Sequence, residues 1–371
     1  MATELRPRPL RKPLYDSERA EPRATVCVTG ATGYIAGPVI ARLLAAGHTV
    51  HAACRDPANE AKTGHLKALP GAGERLRLFA ATLEAEASYD EAVAGCKYVV
   101  HLASVVRMMA PKGRERELII DPSVHGVTNV LGSVNRTPSV EKVVMASSVA
   151  AVVGDHWERG RDHVYTEEDW NTTCRDDYLP YHQSKLLSEK KAWELAESQQ
   201  RWKLIVLQPC LVCGPPLGNN KCESVGFMRR LLNGWFGGCM PNPTYCVVDL
   251  DDVAAALTLA MVTKHAKGRY LITQQSFTLR QYVALIRQKW GDFRLPWFPV
   301  PYWVVWLQSL FHPELDMNLL HAIWGKVPKF DNSKSKRDLG LTYTEIKVSI
   351  DDMVEALIRL GIVKDFRKKR R

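Results

Sequence analysis

A tyrosine and a lysine stand four residues apart in Pro180-Tyr181-His182-Gln183-Ser184-Lys185. Pro180 suits the first turn of a helix that continues through Leu186, Leu187 and Trp193, so this spacing puts Tyr181 and Lys185 on one face, one turn apart. A phenol with a pKa near ~10 exchanges protons poorly at neutral pH until a neighbouring ammonium favours its ionised form, and Lys185 is placed to be that ammonium. A serine pair, Met145-Ala146-Ser147-Ser148-Val149, ends a strand-like run. One hydroxyl there can donate to a carbonyl oxygen while the other bonds locally. Ser148 is the expected donor and Ser147 the fallback. Together these groups suit proton transfer at a carbonyl or, in reverse, at an alcohol.

The elements that would position them begin about 150 residues earlier. Thr29-Gly30-Ala31-Thr32-Gly33-Tyr34-Ile35-Ala36-Gly37 follows the apolar run Ala24–Val28 and opens a helix-period segment from Val39 to Leu44. Glycines at such a strand-to-helix turn make a dinucleotide-binding loop. Gly30 allows the tight turn and Gly33 the close approach of backbone to a pyrophosphate, with the helix N-terminus facing its charge. Ala36 takes the third small position.

The second strand, Thr49–Cys54, decides which dinucleotide. An acid at its end would bond the ribose hydroxyls of NAD, whereas an arginine favours the extra phosphate of NADP. Cys54 and then Arg55 stand there, with Lys62 one or two turns on, so NADP is expected.

Strand-like and helix-like segments alternate from Ala24 to Pro209, which predicts an α/β fold with a doubly wound parallel sheet. The predicted strands are 25–29, 48–54, 75–80, 97–102, 141–147 and 203–208. Asp121-Pro122 reads as a helix start, with Asp121 as cap. The nucleotide-binding domain is placed at 24–209 with a return to its sheet at 245–275. Residues 210–244 and 276–363 are assigned to a smaller, partly helical substrate lobe. Asp249, Asp251 and Asp252 suit a helix cap better than catalysis.

Residues 1–23 mix Arg, Lys, Pro and acids without apolar period, which predicts a disordered extension. Much of the formal charge of +10 sits there and in the terminal run Arg367–Arg371, so solvated ends are expected in preference to nucleic-acid binding. Nine scattered cysteines in a chain of 371 residues suit a reducing, cytoplasmic setting. Cys210 and Cys213 form a CxxC, but no second pair or histidine cluster at ligand spacing accompanies them, and no metal site is expected.

Residues 296–311, PWFPVPYWVVWLQSLF, are too short and too proline-broken to span a bilayer. They are expected to line an apolar pocket or pack as core. The alternative is a peripheral membrane contact shared with the basic tail, at an endoplasmic-reticulum surface if the tail acts as a retrieval signal.

The chain as a whole resembles an extended short-chain dehydrogenase/reductase of the dihydroflavonol-reductase-like branch. The motifs that carry this are VCVTGATGYIAG, RDPAN, VVHLAS, DPSVHGVTNVL, KVVMASSVA, VYTEEDW, YHQSK, QPCLVCGP, VVDLDDVAAA and FDNSKSKRDLGL, spread from Ala24 to Val363. The resemblance implies NADPH as cofactor and Ser148, Tyr181 and Lys185 as catalytic residues. It puts the phosphate turn on Gly30, Thr32, Gly33, Tyr34 and Ile35, and the 2′-phosphate ligands on Arg55 and Lys62. Ala103, Pro209, Val212, Tyr181 and Lys185 are further implied cofactor contacts. The implied reaction is reduction of a small-molecule aldehyde or ketone, or the reverse oxidation of an alcohol such as a 3β-hydroxysteroid. Two departures stand out: Ala81-Thr82-Leu83 lacks the acid that contacts adenine, and the Asn-Trp-Tyr-Cys-Tyr signature of cinnamoyl-CoA reductases is absent. The alternatives are a nucleotide-sugar epimerase or dehydratase, and a non-catalytic NADPH-binding subunit of a larger assembly.

Overall fold

The structure is a computed structural model that describes residues 10–218, 222–312 and 315–366. Seven strands build the central sheet: β1 Thr25–Thr29, β2 Thr49–Cys54, β3 Leu76–Ala80, β4 Tyr98–His101, β5 Lys142–Ala146, β6 Lys203–Pro209 and β7 Gly268–Ile272. All pair in parallel, in the order β7-β6-β5-β4-β1-β2-β3. Strand order reverses between β1 and β4, and open α/β sheets bind ligands in the crevice at such a switch point.

Successive residues of one strand feed two cores. Val26 and Val28 of β1 and Val100 of β4 pack with helices α2 (Ala36–Ala45) and α5 (Leu250–Val262). Cys27 and Val99 face the other way, toward Val127, Val130, Leu131 and Val134 of α3 (Asp121–Arg136) and Ala192 of α4 (Pro180–Glu197). Burial on both faces is why these strands read as continuous apolar runs without alternation.

The six predicted strands are present to within about a residue at each end, and β7 completes the sheet. The return segment differs from expectation. Thr244–Asp249 pairs with Leu211–Cys213 and Gln275–Thr278 in a separate three-stranded sheet, and the chain rejoins the main sheet only at Gly268. Asp249 is the cap of α5, accepting from the amides of Asp251 and Asp252. Asp121 is not a cap: a π-helical turn, Arg116–Ile120, precedes it without a break, and its carboxylate takes a bond from Arg116.

The predicted disorder of residues 1–23 does not extend to residues 10–23; residues 1–9 lie outside the described residues. A short helix α1 (Asp16–Ala20) buries Glu18 against Arg42 and Thr258. Arg11 reaches Asp249, Asp251 and Asp352, and Lys12 reaches Asp252. What the composition lacked in apolar surface is supplied by a cluster of acids that needs cations.

The stretch 296–311 is neither core nor pocket wall for most of its length. It forms helix α7 (Tyr302–Ser309) after α6 (Leu279–Trp290), and in α7 only Val305 is buried. Trp303 is 62% and Phe311 82% exposed. The basic run 367–371 lies outside the described residues.

Candidate active site

Gly30 sits at φ +65°, and a Cβ there would come within 2.8 Å of the Ala103 backbone. Both conformation and space therefore demand glycine. The Gly33 amide closes the turn on the Gly30 carbonyl at 2.9 Å, and α2 begins one residue after Ile35. Thr32 shares this turn. Tyr34 belongs to it only through its backbone, because its buried hydroxyl donates to the Gly214 carbonyl at 2.6 Å and ties the turn to the small sheet.

Thr29, at the end of β1, spans the switch point. Its Oγ1 accepts from the amides of Leu102 (3.1 Å) and Ala103 (3.0 Å) and bonds His101 Nδ1 at 2.8 Å. Having accepted twice, the hydroxyl gives its own proton to Nδ1, which leaves the ring proton on Nε2. Nε2 is buried without a partner among the described residues. Burial, with Lys185 nearby, lowers the His101 pKa to about 4, so the ring is neutral.

Tyr181 lies in the first turn of α4. Leu179, just before that helix, has a left-handed backbone (φ +57°), and its side chain is buried against Ala322 and Ile323. The following Pro180 disfavours the right-handed region at Leu179, and the strain, of order 1–3 kcal/mol, is held by that packing. The Lys185 ammonium lies 5.6 Å from the centre of the Tyr181 ring and donates to Ser104 Oγ at 2.8 Å. Burial lowers the Lys185 pKa to about 8, partly offset by Glu189. Burial also pushes the Tyr181 phenol up to about 12, against a hydrogen bond from Ser148.

The two serines have different surroundings. Ser148 Oγ caps the Ala150 amide at 3.2 Å and faces the Tyr181 phenol. Ser147 is buried, and its hydroxyl donates to Glu189.

Glu189, one turn beyond Lys185, was not apparent in the sequence. Its buried carboxylate also accepts from Gln208 Nε2 at 2.9 Å and Arg269 Nε at 2.6 Å. Arg269 is fixed in turn by the carbonyls of Glu167 and Asp169 and by the face of Trp170, 3.7 Å away. The one available signal was the helical period, which puts Glu189 on the face of α4 that carries Tyr181 and Lys185.

At the far end of the crevice Arg55 is exposed just past β2 and Lys62 is exposed on the helix Glu60–Lys67. The neighbouring Asp56 turns to cap the Ala58 amide at 3.1 Å. Pro209 pairs with Ile272 at the end of β6, and Val212 pairs with Val248 in the small sheet. A glycine turn that excludes side chains, a buried imidazole with an unpartnered nitrogen, and two exposed cations, Arg55 just past β2 and Lys62 on the helix that follows, fit an NADP dinucleotide. Cys210 and Cys213 are buried free thiols, and among the described residues no metal-ligand cluster occurs.

The profile of the NAD dependent epimerase/dehydratase family matches residues 26–272. A cinnamoyl-CoA reductase of Medicago truncatula is 35% identical over 339 residues, which cover 90% of this chain and 95% of that protein. A dihydroflavonol 4-reductase of Gerbera hybrida is 34% identical over 74% of each chain. Among solved structures, Gre2 of Candida albicans in complex with NADPH superposes with a TM-score of 0.74 at 26% identity, over 91% of this chain and 99% of that one. With a doubly wound sheet, a glycine turn at its switch point and a Tyr-Lys helix beside it, this chain belongs to the NAD dependent epimerase/dehydratase family, as an extended short-chain reductase.

Proposed function

We propose that this protein is an NADPH-dependent reductase of aldehydes or ketones, with Tyr181 as proton donor, Ser148 as carbonyl-orienting donor and Lys185 as the cation that tunes Tyr181. The observation that carries this reading is the meeting of Ser148, Tyr181 and Lys185 beside the Gly30 turn. NADPH, when bound, supplies a hydride. The backbone of Gly30, Thr32, Gly33 and Ile35 would hold its pyrophosphate, and Arg55 and Lys62 its 2′-phosphate. Ala103, Pro209 and Val212 would line its path.

The Ser148 hydroxyl, fixed by its bond to the Ala150 amide, donates to the substrate carbonyl oxygen and polarises it. The Tyr181 phenol gives its proton to the same oxygen. Burial alone makes that phenol a reluctant acid, so the charged Lys185 offsets the desolvation as the phenolate forms. Run backwards, the same groups take a proton from an alcohol. Residues 210–244 and 276–363 form the substrate lobe in this reading.

Among the described residues no helix is long and apolar enough to cross a membrane. All nine cysteines are free, six of them buried, which suits a reducing, cytoplasmic environment. The relatives named for dihydroflavonol and cinnamoyl-CoA reduction frame the substrate search. NADPH consumption should be measured over a panel of aldehydes, ketones and cinnamoyl thioesters. The reading expects turnover of aldehydes or ketones and none of the thioesters. If NADPH raises the melting temperature but no carbonyl compound is consumed, the protein is a non-catalytic NADPH binder.

A further inference from the structure

The exposed aromatic surface around α7 has no role in the reductase reading. Trp297, Phe298, Trp303, Trp306, Leu310 and Phe311 are all about half or more exposed. Trp235 is also exposed, and the chain three residues beyond it runs beside this surface, since the amides of Trp297 and Phe298 both bond the Gly238 carbonyl. Side chains of this size seldom gather on a surface facing water alone.

The charge pattern points to what covers it. Residues 296–311 contain no charged side chain, and residues 224–248 and 293–312 contain no acid. The charges these two segments carry are Arg229, Arg230 and Arg294, and Arg229 and Arg294 are exposed. Beside α7, a groove of about 410 Å³ is lined by Met240, Pro299, Val300, Pro301 and Trp324, with the exposed Arg280 at its rim. Exposed tryptophans beside a groove of mixed polarity with a basic rim match the boundary between lipid headgroups and acyl chains, where indoles collect. Two copies meeting through this face would bring like-charged rims together, in a chain already at +10.

We propose that α7, residues 297–298 and Trp235 form a docking surface for an anionic lipid bilayer, lying in the headgroup layer without crossing it. α7 is eight residues long, far short of the ~20 that a span needs. Tyr302, its first residue, meets the rings of Trp324 and His321 edge to face. The helix Met317–Ile323 in turn packs Ala322 and Ile323 on Leu179, two residues before Tyr181. Docking would therefore place the bilayer near the mouth of the site. The inference does not depend on the reductase reading, because it is tested by binding.

The test is cosedimentation of the full-length protein with phosphatidylcholine vesicles, with and without phosphatidylserine, at low and high salt. Blue shift of tryptophan emission is the second readout. Wild-type protein should sediment with the anionic vesicles at low salt, be released by salt and shift its emission to the blue. Trp303→Ser/Trp306→Ser should weaken binding by at least ~10-fold, and Arg229→Glu/Arg294→Glu should remove its salt dependence. Both variants change exposed side chains, and an unchanged melting temperature checks their fold. Three results would overturn the proposal: no sedimentation at low salt, full binding by the double tryptophan variant, or binding lost only when residues 367–371 are removed. A dimer, or a complex with an acidic protein, that the tryptophan changes abolish while vesicles stay unbound would give the surface to that partner instead.

Discussion

The ammonium of Lys185 donates to Ser104 Oγ at 2.8 Å while lying 5.6 Å from the centre of the Tyr181 ring. The lysine thus ties α4 to the loop that follows β4, and in the proposed mechanism it is the charge that favours the phenolate.

That charge is held weakly, since burial lowers the Lys185 pKa to about 8. As pH rises through this value the ammonium loses its proton, so kcat/KM for carbonyl reduction should fall above about pH 8. The Glu189 carboxylate opposes the lowering, so Glu189→Gln should move this alkaline limb to lower pH. An unchanged limb in that variant would separate Lys185 from the titration.

Glu189 also pairs with Arg269 in the interior, where the two side chains are 0% and 8% exposed. Glu189→Met would leave the guanidinium uncompensated and should cost about 3–5 kcal/mol in urea unfolding. Glu189→Met/Arg269→Met should recover most of that loss. A double variant as unstable as the single one would show that the pair itself is not the source.

Cofactor choice should follow Arg55. Arg55→Asp puts a like charge where the proposed partner of the 2′-phosphate stands and should weaken NADPH binding by roughly 10- to 100-fold, with NADH affected little. Fluorescence titration with both cofactors reads this. Equal losses would detach Arg55 from the 2′-phosphate.

Residues 10–23 should matter to stability in a pH-dependent way. Burial and the neighbouring Asp249 raise the Asp251 pKa to about 6 from 3.8, while Arg11 holds it down. The folded state therefore binds this proton more tightly than the unfolded chain, and the stability so gained disappears as pH rises from about 4 to about 6. Arg11→Ala removes the compensating cation, so its loss of melting temperature should be larger at pH 7 than at pH 5. Equal losses at both would assign Arg11 a packing role only.

What could be read in the sequence was local. Gly30 and Gly33 sit in one turn, Tyr181 and Lys185 on one turn of helix, and six of the seven main-sheet strands in short runs between turn or helix signals, so short-range pattern located them; β7 was not among them. The Thr29–His101 clamp and the Glu189–Arg269 pair join residues 72 and 80 positions apart, and nothing in either segment alone marks its partner. Arg11 finds Asp249 across 238 residues, which is why its segment looked too polar to order. In 296–311 the aromatic content was evident, but composition does not say which way a helix faces. Of the two serines, either could have met the phenol; only the path of the chain after β5 turns Ser147 to Glu189 and Ser148 to Tyr181.

Tyr181→Phe tests the central claim most directly. It removes one hydroxyl and leaves the ring, the helix and the Gly30 turn in place. With a carbonyl substrate in hand, NADPH affinity should stay within a few-fold while kcat falls by ~10²-fold or more, the scale expected for a lost general acid. A variant that binds NADPH normally and reduces the substrate at the wild-type rate would contradict the assignment of Tyr181 as proton donor.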